Sequence, residues 1–140
     1  MSYLDTSVLT AYYCPEAHSA KIQRMLSTMK NPTISPLVEI ELHCAVARKV
    51  RAGEMGPAVA RRIFAEFRTH LAEPRFNFVP VQMAEYSLAC QWIEGLSSPL
   101  RALDALHLAA AFTNDLVLVT ADKVLAKSAK YLGVKHNLVL

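Results

Sequence analysis

Cysteine is sparse in this 140-residue chain: Cys14, Cys44 and Cys90 are odd in number, widely spaced, and part of no C-x-x-C pair or Cys/His quartet. This argues against a disulfide framework and a sequence-encoded zinc site, and predicts three small buried hydrophobes in a reducing compartment. No charged n-region and apolar h-region precede the first strand-like residues, so no signal peptide is expected. The longest apolar run, LDALHLAAAF, is interrupted by Asp104 and His107 and is too short to cross a bilayer. The expectation is a soluble cytoplasmic protein with no membrane association. Repeats, low-complexity tracts and linkers are also absent, which predicts a single domain over residues 1–140. There is no aromatic platform of the kind that stacks single-stranded bases, so base recognition is not legible. Strong charge is missing too: a net charge of +3 and a pI near 8.8 help an anionic ligand approach without identifying nucleic acid.

What is present is apolar residue in quantity. A hydrophobic fraction of 53% and a mean hydropathy of +0.22 suffice for one core, with surplus for a partner-facing surface. Short β-rich runs alternate with helical patterns, predicting a three-layer α/β/α fold around a central, mostly parallel sheet. Strands are expected at Ser2 to Asp5, Thr33 to Ser35, Phe76 to Val81, Leu116 to Thr120 and Val134 to Val139. Pro15-Glu16 opens an expected helix to about Met29, ended by Asn31-Pro32. Ser35-Pro36 reads as a cap followed by an N1 proline, starting a helix that Gly53 stops. Pro57 to Ala72 forms a second helix, antiparallel to the first. Ser98-Pro99 repeats the cap-then-proline device, and Thr120 to Asp122 caps a last helix closed by Gly133.

Acids distant in sequence fall where such a sheet gathers its ligands. Asp5 and Asp122 are both expected at the carboxyl edge of strands, the usual place for a ligand in an open parallel sheet. Asp122 also reads as a helix cap. Asp104 is expected a turn and a half inside its helix, among Leu100, Leu103, Ala105, Leu106 and Leu108. A carboxylate buried there needs a partner: either Arg101 one turn earlier, or a divalent cation. The cation is favoured because Asp5 shows no local partner. In SPLVEIELHCAVARKV both Glu39 and Glu41 border apolar surface, and periodicity does not choose between them. Clustered carboxylates repel unless a hard cation compensates them, and Mg2+ or Mn2+ suits an all-oxygen donor set. A phosphodiester is the natural substrate of such a site. Thr6, Ser7 and Thr120 are candidates to hold the attacking water or a supporting bond, or to cap the next helix.

The segments YLDTSVL, ISPLVEIELHCAVARKVRAGEM, LRALDALHLAAA and LVLVTADKVLAKSAKYLGV, in that order and spacing, resemble the PIN-domain nucleases, and specifically the small VapC-type ribonuclease toxins of toxin–antitoxin pairs. The resemblance implies a PIN-like fold and maps the family's helical glutamate, which precedes a leucine, onto Glu41 rather than Glu39. It implies that Asp5, Glu41, Asp104 and Asp122 are metal-binding and catalytic, Asp122 being the more variable in role, with Thr6 and Thr120 at supporting hydroxyl positions. Pro36-Leu37-Val38 departs from the small or polar residues common there, which bears on the helix start. The resemblance further implies Mg2+-dependent cleavage of RNA, a homodimer, and inhibition by a cognate antitoxin.

Arg48, Lys49 and Arg51 offset a helix dipole, Arg61, Arg62 and Arg68 form a solvated face, and Lys123, Lys127 and Lys130 are the expected RNA-binding residues. His18, His43, His70 and His136 read as surface or boundary residues, and His107 as a packing or hydrogen-bonding one. LDTSVLT also resembles the first motif of haloacid-dehalogenase-like phosphatases, but the position of their second aspartate holds Ser7, which removes the proton donor. A non-catalytic PIN-like module that binds RNA or a partner is the remaining alternative.

Overall fold

A computed structural model describes residues 1–139. Five parallel strands, β1 (Ser2–Leu4), β2 (Thr33–Ile34), β3 (Asn77–Phe78), β4 (Val117–Thr120) and β5 (His136–Leu138), form one sheet in the order β3-β2-β1-β4-β5. Seven helices connect them: α1 (Thr6–Tyr13), α2 (Ser19–Thr28), α3 (Pro36–Arg51), α4 (Pro57–Ala72), α5 (Met83–Glu94), α6 (Ala102–Thr113) and α7 (Lys123–Leu132). The result is the expected three-layer α/β/α arrangement with a parallel sheet.

The central strand β1 pairs on one side with β2, Tyr3 opposite Thr33, and on the other with β4, Leu4 opposite Val119. Tyr3, Leu4, Ile34 and Leu118 are fully buried, as expected of strands covered on both faces. In α4 the buried residues Ala60, Ile63, Phe67 and His70 recur at helical spacing and form its core face. In α6 every residue from Ala105 to Ala111 is buried, with small alanines at 109–111 allowing close packing.

All five strands lie within or beside their expected spans, and Pro57–Ala72 is reproduced to the residue. Pro36 takes the first position of α3, so the departure at Pro36-Leu37-Val38 does not displace the helix start. Gly133 closes α7 at φ 74°, a left-handed conformation that favours glycine. Several expectations are corrected. The helix expected from Pro15 begins only at Ser19, and a separate helix, α1, precedes it, capped by Asp5. α6 begins at Ala102, since Ser98 spends its hydroxyl on Ser128 Oγ at 3.0 Å instead of capping. α5 was not anticipated; its signal is Glu85, which accepts a hydrogen bond from the Gln82 backbone N–H. Cys44 and Cys90 are exposed and only Cys14 is buried. His70 is buried, because Tyr13 gives its ring a hydroxyl partner at 2.6 Å.

Candidate metal centre

The chain turns from β1 to β2 on one side while β4 lies on the other, so the gap between the ends of β1 and β4 is a topological switch point. Asp5 follows β1 directly, and its backbone N–H donates to Val119 O at 3.2 Å. Its Oδ1 caps α1 by accepting from the Val8 N–H at 3.3 Å and accepts from the Ser7 hydroxyl at 2.6 Å. Thr120 Oγ1 donates to Oδ2 at 2.6 Å. The expectation that Asp5 has no local partner is therefore corrected: Ser7, two residues on, fills that role.

Thr120 Oγ1 also accepts from the Asp122 backbone N–H at 3.0 Å, tying the end of β4 to the start of α7. Asp122 caps α7 through Oδ1, which accepts from the N–H groups of Val124 and Leu125 at 2.8 and 3.2 Å. The cap reading thus holds. It engages one carboxylate oxygen and leaves Oδ2 without a hydrogen bond among the described residues.

Glu41 points into the same space from α3, while Glu39 is exposed. Glu41 Oε1 accepts from Thr6 Oγ1 at 2.8 Å and from His107 Nε2. Ser35 occupies the cap position of α3 but bonds the Tyr3 hydroxyl at 2.7 Å instead of capping. Asp104 corrects another expectation: it lies in the first turn of α6, not deep inside it, because the helix starts at Ala102. Its carboxylate stands 3.7 Å from Arg101 Nε, a pair whose guanidinium side chain is 88% exposed. Such a contact is worth no more than about 1 kcal/mol. It does not compensate Asp104 for its burial.

All four acids line one cleft of about 450 Å³, together with Thr6, Ser7, Thr10, Ala11, Glu16, His18, Arg48, Arg101, His107 and Ala121. A cavity of similar size, about 480 Å³, lies beside Tyr12, Leu26, Met29 and Arg75 and contains no carboxylate. The acid cleft is distinguished by its chemistry, not its volume.

Burial raises the Asp5 carboxyl above its ordinary range, and hydrogen bonds from Ser7 and Thr120, the His107 charge and the Val8 N–H only partly offset it. Burial also raises Asp104; Arg101 and His107 oppose this, while Asp122 and Glu41 add to it by like-charge repulsion. For Glu41 burial pushes upward, but the hydrogen bond and charge of His107, the Thr6 hydroxyl and Arg101 outweigh it, and the net shift is downward. Asp5 and Asp104 are thus short of positive charge, and Asp104 most directly, since neighbouring carboxylates contribute to its shift.

A hard cation fits this donor set in kind. Glu41 Oε2, Asp122 Oδ2 and both Asp104 oxygens accept no hydrogen bond among the described residues. Each of the three acids therefore keeps an oxygen free for an ion or its water. Among the described residues no group of three or more His, Cys, Asp or Glu side chains is already arranged as a ligand cage. The acids line the cleft from four segments without closing into a cage.

Lys123, Lys127 and Lys130 lie on the exposed face of α7 and none lines the cleft; Lys127 borders a shallow groove with Ser98, Pro99 and Tyr131. The cations that do line it are Arg101 and Arg48, with His18 beside them. Arg48 follows Glu41 by seven residues, two helical turns on the same face, and that spacing is the signal its dipole explanation obscured. Lys49 is held by Glu16 and Glu54 at 3.2 and 3.7 Å.

A sequence model of the PIN domain matches residues 2–131. Solved structures with the same fold include the toxin VapC20 of Mycobacterium tuberculosis, described as cleaving the sarcin-ricin loop, at 16% identity and a TM-score of 0.73, covering 91% of this chain and 95% of that one. FitAcB from Neisseria gonorrhoeae shares 18% identity with a TM-score of 0.71 over 97% of this chain and 96% of that chain. DNA-bound VapBC from Salmonella typhimurium shares 18% identity with a TM-score of 0.65 over the whole of both chains. No curated protein matches significantly.

Proposed function

The chain belongs to the PIN-domain family, and from that membership we propose that it is a metal-dependent ribonuclease hydrolysing RNA phosphodiester bonds, the toxin of a toxin–antitoxin pair. The observation that carries the reading is the convergence of Asp5, Glu41, Asp104 and Asp122, from four separate segments, on one cleft at the β1/β4 switch point. In this reading the four acids hold Mg2+, or Mn2+ in its place. When bound, the ion lowers the pKa of a water and polarises the phosphoryl oxygens under attack.

The chain's own residues do the positioning. Ser7 and Thr120, whose hydroxyls lie 3.3 Å apart, each donate to one oxygen of Asp5 and hold the carboxylate between them. Thr6 and His107 fix one oxygen of Glu41 and leave the other to face the cleft. Asp122 stays anchored at the start of α7 by its cap bonds. Arg48, which has no carboxylate within 4 Å among the described residues, is placed to take a phosphate of the strand being cut. An acid cleft flanked by guanidiniums suits an anionic backbone once a cation has reversed its local charge.

The toxin and antitoxin parts of the proposal are supported by the structures that share the fold, which include the toxin VapC20 and DNA-bound VapBC; a homodimer is proposed with them. Ile40, Met83, Tyr86 and Leu96 expose large apolar side chains, which suit a dimer seam or an antitoxin's apolar segment. An antitoxin basic side chain would satisfy the same acids as the ion. No described helix is long and apolar enough to cross a membrane, and a cytoplasmic location belongs to the same proposal.

The test is incubation of the purified protein with structured and single-stranded RNA, with and without Mg2+. Cleavage that requires the ion, and that Asp104→Asn abolishes, is expected. RNA binding without cleavage at any Mg2+ or Mn2+ concentration would identify a non-catalytic module instead.

A further inference from the structure

Glu41 is held by a chain of three buried side chains that runs back to the central strand. His107 is 2% exposed and bonds it through Nε2, and on the far side of the ring Nδ1 lies 2.7 Å from the hydroxyl of Tyr3. That hydroxyl lies 2.7 Å from Ser35 Oγ, and Tyr3 and Ser35 are both fully buried. The directions of these bonds are constrained. A carboxylate only accepts, so Nε2 carries a hydrogen; a neutral ring then accepts at Nδ1 from the Tyr3 hydroxyl and a charged ring donates there, and the chain through Tyr3 to Ser35 stays connected in both cases. Burial raises the Tyr3 phenol above its ordinary pKa, so it remains a donor.

Packing alone does not require this arrangement. A buried histidine is satisfied by any two polar partners, yet this one spans from the central strand to the cleft and ends on a carboxylate whose other oxygen is free. The Glu41 side chain is 23% exposed and could otherwise swing between rotamers. We propose that Ser35, Tyr3 and His107 form a positioning relay that fixes the Glu41 carboxylate for divalent cation binding. Histidine thereby acts on the ion through a carboxylate, and never as a ligand itself. The inference rests on the reading of the cleft as a metal site.

The fold supplies its own control. Tyr13 and His70 make the same buried phenol-to-Nδ1 bond, at 2.6 Å, away from the acids. Loss of that bond also removes a buried phenol–imidazole contact but touches no carboxylate of the cleft. Mn2+ is the probe, titrated into the full chain and followed by the electron paramagnetic resonance of the free ion, with thermal melting in parallel. Outer-shell substitutions typically weaken metal binding by about 10- to 100-fold, and a loss in that range is expected for His107→Leu. His107→Gln, whose amide nitrogen reaches toward the Nε2 position, should recover most of the affinity. Tyr3→Phe should weaken Mn2+ binding several-fold, whereas Tyr13→Phe should leave it unchanged.

Equal Mn2+ affinity in wild type and in folded His107→Leu overturns the relay. If that variant does not fold, Tyr3→Phe decides: no loss of affinity, or a loss matched by Tyr13→Phe, overturns it. Failure of the wild-type chain to bind Mn2+ saturably overturns the metal reading itself, a result distinct from either of these.

Discussion

Thr120 gives its hydroxyl hydrogen to Asp5 Oδ2 across 2.6 Å, joining the ends of two strands 115 residues apart in sequence. With Ser7 on the other oxygen, Asp5 is held in place by neutral donors and remains uncompensated in charge. Asp5→Asn is therefore expected to abolish RNA cleavage, by at least about 100-fold, while keeping the fold. Without added metal its melting midpoint at pH 7 should equal or exceed that of wild type, because an amide avoids the cost of a buried charge. Cleavage rates and melting curves on the same preparation check both halves.

Glu39 and Glu41 provide an internal comparison on one helix. Glu41→Gln should reduce cleavage to background, since it weakens a carboxylate that Thr6 and His107 hold in the cleft. Glu39→Gln, on the exposed side, should leave the rate within about twofold, as expected for a surface substitution that leaves the cleft intact. Equal losses in the two variants would contradict the assignment of Glu41.

Asp122 has two separable duties. Asp122→Ala should cost about 1 kcal/mol of stability through the lost cap, measured by urea unfolding. Asp122→Ser keeps an oxygen for the Val124 N–H and should stay within about 0.5 kcal/mol of wild type. If the free oxygen of Asp122 serves the ion, the serine variant still loses cleavage. Retained cleavage would leave Asp122 as a cap alone.

Arg48 is expected to touch a backbone phosphate. In an Asp104→Asn background, which binds without cutting, Arg48→Ala should lower the slope of log affinity against log salt by about 0.7, the value for one single-strand phosphate contact. Fluorescence anisotropy of a labelled RNA at several salt concentrations reads this directly. The same measurement on Lys123→Ala, Lys127→Ala and Lys130→Ala tests the α7 lysines against the cleft arginine.

Stability should depend on pH through His70. Burial lowers its pKa, reinforced by Arg75 and opposed by Glu66 and Glu73. Because the unfolded chain then binds more protons than the folded one, stability is fully present above about pH 6.5, the unfolded histidine value. It declines as pH falls below that value toward the depressed folded pKa. His70→Gln should flatten this slope in urea unfolding between pH 7 and pH 5.

The strands and two of the cleft acids, Asp5 and Asp122, were legible because each leaves a local trace: apolar runs bounded by turn residues, and carboxylates at strand ends. Glu41 was not separable from Glu39 by periodicity, since both border apolar residues; only the family motif and then the fold distinguish them. The start of α6 was misread because Ser98-Pro99 has the form of a cap, while Ser98 in fact reaches Ser128 on α7. That partner lies 30 residues on, beyond any window read along the chain. His107 was readable as a hydrogen-bonding residue, but its attachment to Glu41 and Tyr3 depends on contacts across 66 and 104 residues. Arg48 sat in plain view two turns after Glu41, hidden behind an adequate electrostatic explanation.

The position of β1 between β2 and β4 governs the order in which the cleft can come into being. Strand β1 cannot complete its hydrogen bonding until Val117–Thr120 has emerged from the ribosome to pair with it. Contacts this distant in sequence close late and at a high entropic cost. A nascent or truncated chain lacking those residues holds Asp5 without Thr120 and lacks Asp122 altogether. The proposed cutting site thereby stays incomplete, and harmless to the RNA around the ribosome, until Asp122 has been translated.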